Sequence, residues 1–373
     1  MSVQSPGGGS RGKGPTLSLC RFFSNLFGVK TELLPADASS LQKAMDLLHS
    51  GELVAIPTET VYGLASVGLN PNAVKKIFSA KGRPSTDPLI LHLPSADLKQ
   101  AVHMGILPEK VPPEAFRLAS AFWPGPLTMV LPRGPKVPDE VTAGLDTVAL
   151  RYPAHPVAQQ LLAMVGLPLA APSANRFGRI SPTDATSVMH ELGGRIPLIL
   201  DGGECNTGVE STVVSLVPSK PTILRPGMIT SADIKRVLGR APQQKTKTLT
   251  PDQSLPAPGM LESHYAPQTP LFLTDQPISD IQPDMLFIHY HPPKSPLSSN
   301  QFVLSPQGDS ATAARNLYRL LRQADARQGR AILMEPIPDS DGAPALRDRV
   351  QRASVGCATW SHGTWILNRK NTD

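Results

Sequence analysis

The stretch LVAIPTETVYGLASVGLNPNAVKKIFSAKGRP, residues 53–84, decides the fold class. Residues 53–56 are a short apolar run and read as a buried strand. Pro57 ends that run and opens the polar Thr58-Glu59-Thr60. Asn70 before Pro71 is an N-cap followed by proline at the first helical position. Val74, Ile77 and Phe78 then share one helix face, and Pro84 forces the helix to stop ahead of it. Strand, polar turn and amphipathic helix form one α/β unit.

The same alternation extends on both sides. Upstream, Leu41, Ala44, Met45, Leu47 and Leu48 follow helical spacing, with Gly51 where a C-terminal cap belongs. Downstream, strands are expected at 89–93, 128–131, 148–151, 167–171, 196–200, 212–216 and 222–224. Seven or more strands with interleaved helices predict an α/β domain over 31–240, built on a mixed, twisted sheet. Residues 241–267 are polar and Pro-rich, which reads as a linker. Over 268–373 the pattern predicts a smaller Rossmann-like α/β domain. Its expected strands are 271–273, 285–289, 302–304 and 331–334, and its expected helices 311–328 and 345–353. No GxGxxG turn is present, and the residues after Val355 carry no pattern.

Composition narrows the classes. A chain of 373 residues that is 40% apolar supports two packed cores, and 40 prolines predict short elements with sharp ends. No run approaches the roughly 18–20 apolar residues of a membrane span. The net charge of +6 suits nucleotides, phosphates or RNA, and also simple solubility. Cys20, Cys205 and Cys357 form no CxxC pair, so neither a zinc knuckle nor a disulfide framework is expected, and a reducing cytoplasm fits. Residues 1–30 hold four basic residues and no acidic one, as either a disordered extension or a targeting segment would. Gly7 to Lys13 matches the start of a phosphate-binding loop. Gly14 replaces the required Ser or Thr and no strand precedes it, so that reading is rejected.

Candidate site residues cluster at strand ends, where open α/β sheets bind ligands. Extended backbone would put Thr58 and Thr60 on one side, offering hydroxyls to a ligand or capping a turn. Extended backbone at Lys81-Gly82-Arg83 would likewise align two cations, either as a triphosphate clamp or as partners of the helix dipole. His92 in an apolar strand reads as a core histidine or a ligand. Arg151 ends a buried run and needs an anion, either a substrate carboxylate or an internal salt bridge. Ser181 and Asp184 match a capping box with Pro182 at the first helical position, and a helix start is also a phosphate site. Ser173 lacks a GxSxG context, so a serine nucleophile is not expected.

Taken in order, PTETVYGL, KGRP with PLILH, WPGPLT, the strand ending in Arg151, APSAN with SPT, GVEST and LRPG resemble the YrdC/Sua5 family of threonylcarbamoyl-AMP synthases. Residues 241–373 resemble the Sua5 extension through Pro258-Gly259-Met260, His264-Tyr265-Ala266-Pro267 and Ala314-Arg315-Asn316-Leu317-Tyr318. The resemblance implies that Thr60, His92, Arg151, Ala171 and Ser211 hold threonine. It places Arg83, Asp87, Thr147, Ser173, Asn175, Ser181 and Arg225 around ATP, with Tyr265 closing over the nucleotide. Lys81 and Arg83 become the catalytic charge stabilisers, with Mg2+ carried by ATP and no protein metal ligands named. Asp87 departs from the asparagine common in the family and adds a negative charge near a triphosphate.

The implied reaction joins L-threonine, bicarbonate or CO2 and ATP into threonylcarbamoyl-AMP, a nucleotidyl transfer releasing pyrophosphate. The product would feed a tRNA threonylcarbamoyltransferase acting on adenosine 37, and weak RNA binding would accompany it. Two rivals are an RNA-binding module of the same fold without synthase activity and a structural scaffold. The related carbamoyltransferase of hydrogenase maturation carries zinc fingers, which the cysteines here do not supply.

Overall fold

The computed structural model of this chain describes residues 28–217, 220–244 and 264–370. Most of the expected N-terminal extension, Gly7 to Lys13, Cys20 and Pro258-Gly259-Met260 lie outside the described residues. No helix among the described residues is long and apolar enough to cross a membrane.

Eleven strands form the first sheet: β1 (Glu32–Pro35), β2 (Val54–Ile56), β3 (Gly63–Val67), β4 (Ile90–His92), β5 (Leu127–Pro132), β6 (Thr147–Arg151), β7 (Leu169–Ala170), β8 (Leu198–Asp201), β9 (Thr212–Ser215), β10 (Thr222–Arg225) and β11 (Gln243–Gln244). Their order is β1-β8-β2-β3-β7-β4-β6-β5-β9-β10-β11, mixing parallel and antiparallel pairs. β1 and β3 add to the expected strands. β11 extends the sheet into the segment expected to be linker, by pairing parallel with β10.

Helix Pro71–Lys81 starts as its sequence predicts: the Asn70 side chain accepts from the backbone N–H groups of Asn72 and Ala73. It ends on Gly82 in the left-handed region (φ 63°), so the chain is not extended at Lys81-Gly82-Arg83. The expected capping box at Ser181 is a correction. Asp184 is the true N-cap of helix Ala185–Leu192, accepting from Ser187 N, and Ser181 is buried with its hydroxyl committed elsewhere.

The strands position the site through their two-residue period. Leu91, Met129, Leu150 and Val214 point into the main core with Val74, Ile77, Leu118 and Val188 of the covering helices. The alternate residues of the same strands, Ile90, Val130, Ala149 and Val213, form a separate small cluster on the opposite face. His92, Arg151 and Ser211 follow them in phase on that face.

The second sheet comprises β12 (Leu271–Thr274), β13 (Leu286–His289), β14 (Gln301–Val303), β15 (Ile332–Met334), β16 (Gly356–Ser361) and β17 (Thr364–Arg369), ordered β14-β13-β15-β12-β16-β17. Five strands run parallel, as a Rossmann-like unit requires, and β17 closes the edge antiparallel to β16. The patternless tail is this hairpin. Its turn is His362-Gly363, both with positive φ, which matches the twist of a two-residue hairpin. Helices Ser310–Asp325 and Ala343–Ala353 turn Ala314, Leu317, Leu321, Leu346 and Val350 into a core that also holds Val61, Ile180 and Val209 of the first domain.

Candidate active site

A small cavity of about 50 Å³ lies on the open face of the first sheet, beneath His264 and Tyr265 at the end of the expected linker. Of the residues expected to bind substrates, Thr60, Arg83, His92, Arg151, Ala171, Ser173, Ser211, Arg225 and Tyr265 line it. Thr58, Glu210 and His264 line it too. Lys81, Asp87 and Ser181 sit behind that wall, each bonded to a lining residue, and Asn175, two residues past the lining Ser173, accepts from Lys81 through its carbonyl. Thr147 does not reach it. It lies on the same face of β6 as Arg151 but four residues earlier, roughly 13 Å away at about 3.3 Å per residue.

Thr58 serves as both turn and wall. Its hydroxyl accepts from Thr60 N and Val61 N, donates to Val61 O at 2.6 Å, and meets the Thr60 hydroxyl at 2.9 Å. Arg151 is anchored by the salt bridge that sequence left as one alternative: Nη2 lies 2.7 Å from Glu59 Oε1, and Nε donates to Gly125 O at 3.3 Å. Gly125 belongs to the WPGPLT run, which gives that run a role in aiming the arginine. The guanidinium has five donors, so a ligand carboxylate in the cavity can still be bound while Glu59 holds the other edge.

Lys81 and Arg83 diverge, which corrects the expected clamp. The left-handed turn at Gly82 sends Lys81 Nζ beneath the APSAN segment, where it donates to the backbone carbonyls of Ser173 and Asn175. Burial, then the neighbouring Arg83, holds the Lys81 ammonium well below the ordinary lysine range. Arg83 alone reaches the cavity. Its Nη2 lies 2.8 Å from Asp87 Oδ1, and its Nε and Nη2 donate to Asp87 O and Pro88 O. The charge of Asp87 is therefore held by an arginine, and burial raises its pKa against the pull of Arg83 and Lys81.

Ser211 accepts from Arg225 Nη2 at 3.1 Å and shares a 2.7 Å hydrogen bond with Thr128, while Arg225 Nε donates to Ser211 O. The adjacent Gly227 permits this, because a Cβ there would stand 2.3 Å from Thr212 N. Tyr265, with φ of 64°, packs against His264, Tyr318 and Arg349 and is 1% exposed. Burial lifts its phenol to about 12.

Sequence reasoning left out Glu59, Glu210 and Arg349. Glu210 accepts from Ser181 Oγ at 2.6 Å, Tyr318 Oη at 2.9 Å and Arg349 Nε at 2.8 Å. Burial would raise its pKa, but Arg349, Arg225 and these bonds outweigh it and bring it to about 2. Among the charged groups lining the cavity, Arg83, Arg151 and Arg225 outnumber the carboxylate Glu210, which suits an anionic ligand.

Two buried histidines at the cavity make the fold sensitive to acid. Burial, then Arg151, lowers His92 to about 3, and burial with Arg83 and Lys81 lowers His264 to about 3 against Glu210. The unfolded chain takes up these protons below about 6.5, the folded chain only near 3. Stability from both rings is therefore complete above about pH 6.5 and declines as pH falls from there. Thermal unfolding should show a lower melting temperature at pH 5 than at pH 7.5, with a smaller drop in His92→Gln. Equal melting temperatures would contradict neutral burial.

Fold and cavity define a two-domain α/β protein with an arginine-rich cavity on the face of its first sheet, beneath the segment that leads into the second domain. Residues 46–227 match the family model of Sua5, YciO and YrdC proteins, described as telomere recombination, and residues 229–355 match the model described as threonylcarbamoyl-AMP synthase, C-terminal domain. The chain is 41% identical over 342 residues to the threonylcarbamoyl-AMP synthase of Bacillus subtilis, covering 87% of this chain and 96% of that one. It is 38% identical over 320 residues to that of Pyrococcus abyssi, covering 83% and 93%. The solved structure of Pyrococcus abyssi Sua5 complexed with L-threonine has a TM-score of 0.78 at 35% identity, covering 89% of this chain and 99% of that one. The chain belongs to the YrdC/Sua5 family, in its two-domain form.

Proposed function

We propose that this chain is a threonylcarbamoyl-AMP synthase, a nucleotidyltransferase that joins L-threonine, bicarbonate or CO2 and ATP and releases pyrophosphate. The observation that carries this reading is one cavity that brings Arg151 together with two further arginines, Arg83 and Arg225. Arg151, backed by Glu59, ends β6 opposite His92 of β4, and Thr60 and Ser211 line the same cavity from the loop after β2 and the residue before β9. Arg83, Ser173 and Arg225 offer cations and a hydroxyl beside them.

In this mechanism Arg151 takes the threonine carboxylate, and neutral His92 and the Thr60 and Ser211 hydroxyls orient the rest of the amino acid. The threonine amine attacks CO2 and loses a proton, or attacks bicarbonate with loss of water, to give a carbamate. A carbamate oxygen then attacks the α-phosphorus of ATP as the bond to pyrophosphate breaks. No protein nucleophile is needed; the chain contributes position and charge. Lys81 keeps the 173–175 segment in place under the nucleotide, and Arg83 and Arg225 offset the phosphate charge.

Mg2+ would offset further phosphate charge when it arrives with ATP. The buried carboxylates Glu59, Asp87 and Glu210 are each paired with an arginine, so the ion's ligands would come from the phosphates. We place the reaction in the cytoplasm, with a tRNA threonylcarbamoyltransferase as consumer of the product.

The interior space is well below the roughly 300–1,000 Å³ typical of ligand clefts, so ATP requires the Tyr265 segment to move. Tyr265→Ala is expected to release the adenylate faster than the parent chain, measured by trapping the product; unchanged retention would remove Tyr265 as the closure. Labelled bicarbonate entering an adenylate only when threonine is present would support the synthase. Salt-dependent RNA affinity, indifferent to threonine and without label transfer, would favour the RNA-binding module instead.

A further inference from the structure

The second domain seizes the cavity wall at consecutive residues of the first. Gly208 (φ 81°) presses on helix Ser310–Asp325 so closely that a Cβ would stand 2.4 Å from the Arg315 Cα. Val209 enters the second domain's apolar core. Glu210 meets Tyr318 and Arg349, and Ser211 then faces the cavity. The wall segment is thus held from behind at three residues and used at the fourth.

Arg349 is the centre of this grip. It is fully buried on helix Ala343–Ala353, and a buried guanidinium is costly unless its donors are matched. Here all three nitrogens donate. Nε reaches Glu210 Oε2 at 2.8 Å, Nη2 reaches Glu210 O at 3.2 Å, and Nη1 reaches Pro226 O at 2.9 Å and Asp348 Oδ2 at 2.7 Å. Its face lies 5.5 Å from the Tyr265 ring. Glu210 and Pro226 immediately flank Ser211 and Arg225, which are bonded to each other. One side chain from the second domain therefore touches three segments that line the cavity.

We propose that Arg349 is a positioning residue for the substrate site: by holding Glu210 and Pro226 it sets Ser211, Arg225 and Tyr265 at the spacing the substrates require. The second domain then does more than anchor the linker, because the cavity is complete only with its arginine in place. The kinetic part of this proposal rests on the synthase reading; the structural part does not.

Both parts are tested on the full chain with Arg349→Met, Arg349→Lys, Glu210→Gln and the Arg349→Met/Glu210→Gln pair. Arg330→Ala, which removes an exposed cation paired with Asp284, is the control. Hydrogen exchange is expected to quicken about tenfold in residues 208–213 and 225–228 of Arg349→Met, within the range coupled buried groups give, and to stay unchanged in helix Ala38–His49. KM for ATP and threonine should rise by about the same factor with kcat nearly constant, Arg349→Lys should recover part of the loss, and the pair should be no worse than Arg349→Met alone. Should Arg349→Met fail to fold, Arg349→Lys and Tyr318→Phe carry the same measurements. Parental exchange in both segments, or effects of the two substitutions that simply multiply, would overturn the proposal. A parent chain without threonine-dependent turnover would overturn the synthase reading, and the exchange data would still decide the role of Arg349.

Discussion

Arg151→Met is expected to cost about 3–5 kcal/mol of folding stability and to abolish measurable threonine binding. The stability loss follows from what remains: Glu59, with its side chain 11% exposed, would keep a buried carboxylate without a cation. The binding loss follows from removing the guanidinium that faces the cavity. Substituting Glu59→Gln as well separates the two effects. That pair leaves no buried charge uncompensated, so denaturant unfolding should recover most of the stability, while calorimetric titration should still show no threonine binding. Recovery of both would show that Arg151 matters only as the partner of Glu59. Recovery of neither would show that the Glu59–Arg151 pair is not what links stability to this position.

Lys81→Ala and Arg83→Ala should each lower turnover at least about tenfold, about 1.4 kcal/mol of transition-state stabilisation, by different routes. Without Lys81 the carbonyls of Ser173 and Asn175 lose their buried donor and the segment carrying Ser173 loosens. Without Arg83, Asp87 becomes a buried carboxylate without its arginine, behind the cavity proposed to take the triphosphate. Asp87→Asn should therefore rescue part of the Arg83→Ala defect and none of the Lys81→Ala defect. Steady-state kinetics of pyrophosphate release checks this, and unchanged rates in both single variants would refute both roles.

The legible parts of this protein are those whose cause is local. Asn70-Pro71 announces its helix because cap and first residue are adjacent, and the strands ending in His92 and Arg151 show as apolar runs. Ser181 was misread because a matching S-x-x-D spacing says nothing about burial: Glu210, 29 positions on, takes its hydroxyl, and Asp184 caps in its place. Lys81 and Arg83 stand out together in the sequence, yet their divergence depends on the left-handed turn at Gly82. Glu59, Glu210 and Arg349 were missed for a different reason. Each is a charge whose meaning lies in a partner far along the chain, 139 positions in the case of Glu210 and Arg349. A charged residue looks solvated until the fold buries it. The motif order could point to the cavity, but only the packing of the second domain shows what holds it in shape.

The most direct test of the two-substrate cavity is pyrophosphate release from ATP, bicarbonate and magnesium, with and without L-threonine. The arrangement of Arg151 and Arg83 in one cavity predicts release that depends on threonine and is lost in Arg151→Met. Release indifferent to threonine, or none under any condition, would contradict it.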